Sequence, residues 1–437
     1  MATRGKGPRP PAAPTAAAAA LDAQPPATRV PSAPAAGYAP ALNAGFQATT
    51  DSVQQMHNAI AGTAFEALLR VPGLTLPTRI VQGVHDAIAH GVYAAVRHGG
   101  GAALAAAGGA ERLATDPDRT PGTKEQAVRS ALNGVFGDAL AASGNPLAIR
   151  MGLHVHGQPV AVTPAALAGL RPRVVLFIHG LACDERSWDG RPAAWEGSTW
   201  AGLLAPSAKN ESTQYGALLE HELPVSALLL RYNTGLAIDA NAESLAELLA
   251  RLLKAAPQVQ DIVLIGHSMG GLVARRAHDM AVAAGMAWPC LGHRAPMLIC
   301  IGSPHEGAPL EQLGTLATAA LNLTDTTRPL ARIANARSTG IKDLRHGLKA
   351  RRGAAVQPLA LKLVFGSLGD EGDATAMGAL ITQVLGDGLV QPPSGAARQL
   401  EGDVERCAVP GLGHMALLSH PRVYALLRRW LGAPPIP

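Results

Sequence analysis

The stretch DIVLIGHSMGGLVARRAH, residues 261–278, constrains the fold more than any other part of this chain. Ile262, Val263, Leu264 and Ile265 form an unbroken apolar run, the composition of a short strand buried on both faces. The run meets Gly266-His267-Ser268-Met269-Gly270, and a helical spacing through Leu272, Val273 and Ala277 follows. A strand that turns this sharply into a helix needs glycine on both sides of the turn, because a Cβ at 266 or 270 would stand between two close backbones. Strand, turn and helix are half of a βαβ unit and commit the neighbouring chain to a mostly parallel sheet. The turn lifts the Ser268 hydroxyl off the carboxyl edge of that sheet, and the helix N-terminus beneath it favours developing negative charge. Ser268 is the candidate nucleophile.

The same alternation continues on both sides. Strands are expected at residues 174–178, 227–231, 262–265, 297–301 and 361–365, with a last one ending near 407–408. Leu245, Leu248, Leu249 and Leu252 mark a helix between the second and third, and Val423, Leu426, Leu427 and Trp430 mark a closing helix. Residues 147–155 and 160–162 flank Gly157 as an opening hairpin. The fold class is α/β, a doubly wound sheet with an antiparallel opening.

Upstream, residues 1–40 hold nine Pro and fourteen Ala, too few large side chains to offset ordering entropy, and a disordered tail is expected through residue 50. From 51 to 143 the spacing is helical: Asp51 is a plausible N-cap for Val53, Met56, Ile60, Phe65, Leu68 and Leu69. Ile80, Val81, Val84, Ile88, Val92 and Val96 lie along a second helix, and Thr123 with Gln126 matches a capping box opening a third. This region carries no chemistry in its residues. It reads as a packing or docking appendage to a catalytic domain at 144–437, with a membrane- or granule-surface module as the alternative.

A serine hydroxyl needs an imidazole to remove its proton and a carboxylate to orient that imidazole. Of the histidines after Ser268, only His414 lies in a glycine-flanked loop between a last strand and a final helix; His420, beside Pro421, reads as structural. Asp387 between Gly386 and Gly388 is the favoured acid, 27 residues before His414, and Asp370, Glu371 and Asp373 after the preceding strand are its competitors. The oxyanion of acyl transfer must meet preorganised N–H donors. The amide of Met269 supplies one and that of Leu181 the other, since His179-Gly180 ends the strand at 174–178 and lets the backbone turn inward. The His179 side chain is expected to hold the loop.

These residues together resemble the lipase/esterase branch of the α/β-hydrolases over residues 147–433. Residues 174–181 look like its strand and HG loop, 266–271 like its GHSMGG elbow, 387–390 like its DGxV acid loop, and 302–307 like a G-[ST]-P-H-x-G element of lipases and inositol-deacylase-like hydrolases. Gln391 departs from the Pro that many relatives carry there. The resemblance implies Ser268, Asp387 and His414 as a catalytic triad cleaving carboxylic esters, with no cofactor and no metal. A thioesterase, an acyltransferase or an inositol deacylase would use the same triad, and a non-catalytic surface-binding scaffold would need none.

Between 307 and 357 strand character is missing, where such enzymes insert a cap. Leu310, Leu313, Leu316, Ala320 and Leu321 suggest a helix, and residues 328–352 carry eight Lys and Arg against Asp343 alone. Such a lid would suit an anionic lipid surface, beside a small-molecule or lipid ester as substrate. For the whole chain, 37 basic against 32 acidic side chains make no nucleic-acid signature. The four cysteines lack zinc spacing, and no stretch approaches the ~20 apolar residues of a membrane span. Without a secretory leader pattern, a cytoplasmic location is expected.

Overall fold

The computed structural model describes residues 38–72, 74–114, 122–189, 195, 215–286, 288–290, 295–309, 338–348, 359–369 and 387–433. Eight strands form one sheet: β1 (Gly152–Val155), β2 (Gln158–Val160), β3 (Arg173–Ile178), β4 (Val225–Arg231), β5 (Asp261–His267), β6 (Met297–Ile301), β7 (Ala360–Ser367) and β8 (Val404–Pro410). Their order is β2-β1-β4-β3-β5-β6-β7-β8. β1 runs antiparallel to both β2 and β4, and from β4 through β8 every neighbouring pair is parallel. The α/β class and the antiparallel opening are as expected.

The helices, in chain order, are α1 (Tyr38–Leu69), α2 (Thr75–Ala114), α3 (Thr123–Ala142), α4 (Pro164–Leu167), α5 (Tyr215–Glu222), α6 (Ile238–Ala255), α7 (Met269–Ala283), α8 (Thr339–His346), α9 (Pro392–Ala396) and α10 (Pro421–Leu431). Side chains alternate across the sheet with period two. In β3, Val174, Leu176 and Ile178 join the core cluster built with α3, α6 and α7, while Val175 and Phe177 join the one built with α5 and α10. β5 does the same with Ile262 and Leu264 against Val263 and Ile265. Burial on both faces is why these strands read as unbroken apolar runs. Each fully buried Leu or Ile contributes about 1.5–3 kcal/mol relative to exposure.

The N-terminal third departs from its sequence reading in three ways. First, the expected tail through residue 50 is corrected at its near end: α1 begins at Tyr38, with Pro40 in its first turn, where the missing N–H costs nothing. Asp51 is therefore inside α1, not its cap, and instead pairs with Arg97 of α2 at 2.6 Å. Residues 1–37 of that tail lie outside the described residues. Second, the capping box does not form: Gly122 is the N-cap of α3, without a side-chain cap, and Gln126 donates its backbone N–H to Gly122 O. Third, α3 does not belong to an appendage. Ala131, Leu132, Val135, Phe136 and Leu140 are buried in the same core as β3 and α7. A Cβ on Gly134 would stand 2.7 Å from the Cβ of Ala182, so α3 closes directly on the loop after β3. The division at 143/144 thus cuts through one core.

α1 and α2 form an antiparallel hairpin. Between the helices, beside Phe65, whose ring lies 5.3 Å from that of His85, Arg97 Nη1 donates to Asp51 Oδ1 (2.6 Å) and Gln54 Oε1 (2.8 Å), Gln47 Nε2 to Arg97 O (3.1 Å), and the Nε2 atoms of His57 and His85 lie 3.0 Å apart. Among the described residues no helix is long and apolar enough to cross a membrane. Of the cap expected at 307–357, only residues 307–309 and 338–348 are described, and the helix expected around Leu310 to Leu321 and most of the basic segment lie outside them.

Candidate active site

Ser268 sits between β5 and α7 with φ 53° and ψ −122°, a region that residues with a Cβ seldom occupy, and its N–H donates to Ile301 O at 2.8 Å. The surrounding glycines make this turn possible. A Cβ on Gly266 would lie 2.4 Å from Gly271 N, one on Gly270 2.4 Å from Ile178 O, and one on Gly271 2.1 Å from Ser303 Oγ. Gly271 thereby shares the role given to Gly266 and Gly270.

The loop after β3 reaches the same place. A Cβ on Gly180 would lie 3.0 Å from the Ser268 Cβ, which sets the next peptide, at Leu181, against the elbow. The amides beyond it are engaged, Ala182 N with Thr234 Oγ1 (3.1 Å) and Cys183 N with Gly180 O (3.3 Å). Met269 is the first residue of α7, so its amide has no intrahelical acceptor. His179 is fully buried, stacks on Tyr232 at 4.5 Å, and its Nδ1 lies 3.0 Å from Gly180 O. Tyr232 Oη donates to His179 O at 2.8 Å, and burial lowers the His179 pKa below 6.5.

Asp387 and His414 meet as a buried pair. Asp387 Oδ1 accepts the amides of Leu389 (2.9 Å) and Val390 (2.7 Å), and Oδ2 lies 2.8 Å from His414 Nδ1. A carboxylate only accepts, so His414 Nδ1 is the donor of this bond. His414 N also donates to Asp387 O at 2.9 Å. The competing acids Asp370, Glu371 and Asp373 lie outside the described residues. His420, read as structural, is the N-cap of α10, its Nδ1 accepting from Arg422 N at 3.1 Å.

Three further contacts were not foreseen. His267, beside the serine, places Nε2 3.1 Å from His414 O and its ring 4.6 Å from the His414 ring. A carbonyl only accepts, so Nε2 carries the His267 proton; Nδ1 is buried without a partner, and burial followed by the neighbouring His414 holds the His267 pKa well below 6.5. A Cβ on Gly302, whose φ is 58°, would lie 3.2 Å from His414 Nδ1, so this backbone bounds the imidazole from the other side. His305 Nδ1 accepts from Arg275 Nη1 at 2.8 Å inside the core, and the His305 backbone N–H donates to Ser394 O at 3.1 Å, tying α7, the loop after β6 and α9 together. No local sequence signal marks the His267 contact, whose partner lies 147 residues away; for Gly302 and His305 the signal is the Gly-Ser-Pro-His-Glu-Gly run.

Among the described residues no group of three or more His, Cys, Asp or Glu stands close enough together to hold a metal ion. Residues 175–425, more than half of the chain, match the sequence profile of the alpha/beta hydrolase family. No curated protein matches. Solved structures of similar fold include the mature Bacillus licheniformis lipase BlEst2, at 17% identity, covering 60% of this chain and 92% of that one with a TM-score of 0.39. The RedJ thioesterase of the prodiginine pathway in Streptomyces coelicolor gives 17%, 62%, 91% and 0.33 by the same measures. A lipase-esterase related protein from Clostridium acetobutylicum gives 11%, 59%, 94% and 0.33. With a profile match that runs from β3 into α10, the chain belongs to the alpha/beta hydrolase family.

Proposed function

We propose that this protein hydrolyses carboxylic esters, of lipid or small-molecule type, through an acyl-enzyme formed on Ser268. Ser268 Oγ attacks the ester carbonyl carbon as His414 Nε2 takes the hydroxyl proton. Negative charge moves to the carbonyl oxygen, where the amides of Leu181 and Met269 meet it. Collapse breaks the bond to the alcohol, which leaves with the proton from His414. Water then repeats the sequence in reverse, giving its proton to His414 and releasing the acid. Asp387 keeps the imidazole in the tautomer that exposes Nε2 and stabilises the imidazolium when it forms.

The observation that carries this reading is the buried Asp387–His414 pair, 2.8 Å between Nδ1 and Oδ2, whose His414 carbonyl is bonded by His267, the residue preceding the positive-φ Ser268. A p-nitrophenyl ester series from acetate to palmitate tests it. Wild type should turn over at least one chain length, and Ser268→Ala should lower kcat by on the order of 10⁶-fold with unchanged circular dichroism. Turnover surviving that substitution would remove Ser268 from its role; wild type inert to every oxygen ester but active on acyl thioesters would replace the substrate class.

A further inference from the structure

The α1–α2 hairpin holds a row of polar groups between its helices and leaves a row of aliphatic ones outside. Its polar groups, Asp51, Gln54, His57, His85 and Arg97, bond with one another between the helices, while α2 turns aliphatic side chains to water. Leu76, Ile80, Val84, Ile88, Val92 and Val96, each four residues apart, are 43–71% exposed. Beside this ridge runs a second row of the same spacing, Gly83, Ala87, Gly91, Ala95 and Gly99, also exposed. A Cβ at Gly83, Gly91 or Gly99 would find nothing within 4 Å. A ridge of branched aliphatics next to a groove of glycine and alanine, both on the i, i+4 rows of one helix, is complementary to a copy of itself: ridges of this kind interdigitate at about −50°.

From this geometry we propose that the outer face of α2 is a homodimer interface in which the ridge of one chain fills the glycine–alanine groove of a second copy about a two-fold axis. Self-complementarity of one patch is what a two-fold interface requires. A standard two-fold interface buries roughly 800 Å² per partner, which is the extent of contact that the proposed pairing requires. A lipid surface would have no use for a groove, because fluid chains fit any contour. It would call instead for cations along the face, and between Leu76 and Val96 the only Lys or Arg is Arg79.

Analytical ultracentrifugation of the full chain tests the proposal. The wild type should sediment at twice the 44.8 kDa chain mass at micromolar concentration. Gly91→Leu, which fills the groove and favours helix formation over glycine, should raise the dimer dissociation constant at least 100-fold. Ile88→Lys on the ridge should do the same, with the helical signal retained in both. A monomeric wild type across the micromolar range would overturn the proposal. So would a dimer indifferent to both substitutions, or a monomer that binds neutral phosphatidylcholine vesicles in a way Ile88→Lys abolishes.

Discussion

In the sheet, Val174, Leu176 and Ile178 face one core and Val175 and Phe177 the other, and every one is buried. In the hairpin, Ile80, Val84 and Ile88 face water while Gln54, His57 and Arg97 face the partner helix. The residue types overlap; the aliphatic row that the sheet covers on both faces stands uncovered on α2. Period reveals which residues share a face, and only the surroundings decide whether that face is covered. The sheet carries the candidate chemistry on a rigid support, whereas the hairpin offers a surface.

The contrast can be broken first at the site. Asp387→Asn leaves the fold intact and strands the imidazole in the wrong tautomer, so kcat should fall about 10⁴-fold in steady-state ester hydrolysis. A loss under tenfold would mean that another carboxylate orients His414. Second comes the core that α3 shares with the sheet. Leu132→Ala should lower unfolding free energy by about 3 kcal/mol in urea titration, because a fully packed side chain leaves a cavity. A cost near zero would return α3 to the status of an appendage.

Third is acid. Burial, reinforced by Arg231, lowers the His154 pKa from 6.5 to about 4, and His179, His267 and His305 are depressed by burial as well. The unfolded chain therefore takes up these protons first. Stability should be intact above pH 6.5 and fall progressively toward pH 4, read as a declining urea midpoint. A flat midpoint across that window would show these histidines to be solvated. Next, His267→Ala removes the donor to His414 O without touching Asp387, and should reduce kcat about tenfold, or 1.4 kcal/mol, with KM unchanged. His267→Gln, which keeps a donor, should recover part of it. Smallest is Ile80→Ala in the hairpin, which should change the stability of the monomeric chain by less than about 0.5 kcal/mol.

Much of this was legible in the chain because local chemistry decided it. Strands β3 and β5 are apolar runs, the glycines at 266 and 270 are required by backbones 2.4 Å from where their Cβ atoms would lie, and Asp387-Gly388 is a turn with φ 92° at the glycine. What escaped reading depends on residues far apart in sequence. Asp51 looked like a cap because its partner, Arg97, is 46 residues away. α3 looked detachable because Gly134 meets Ala182 only in space. For His267, nothing local announces a bond to the carbonyl of His414, 147 residues on.

The most direct test is covalent. A fluorophosphonate reacts with a serine only when its oxygen is activated and its oxyanion can be held. Intact wild-type protein treated with such a probe should gain one adduct, mapped by peptide mass spectrometry to Ser268, and Ser268→Ala should gain none. An adduct on another residue, or labelling that persists in Ser268→Ala, would contradict the account at its centre.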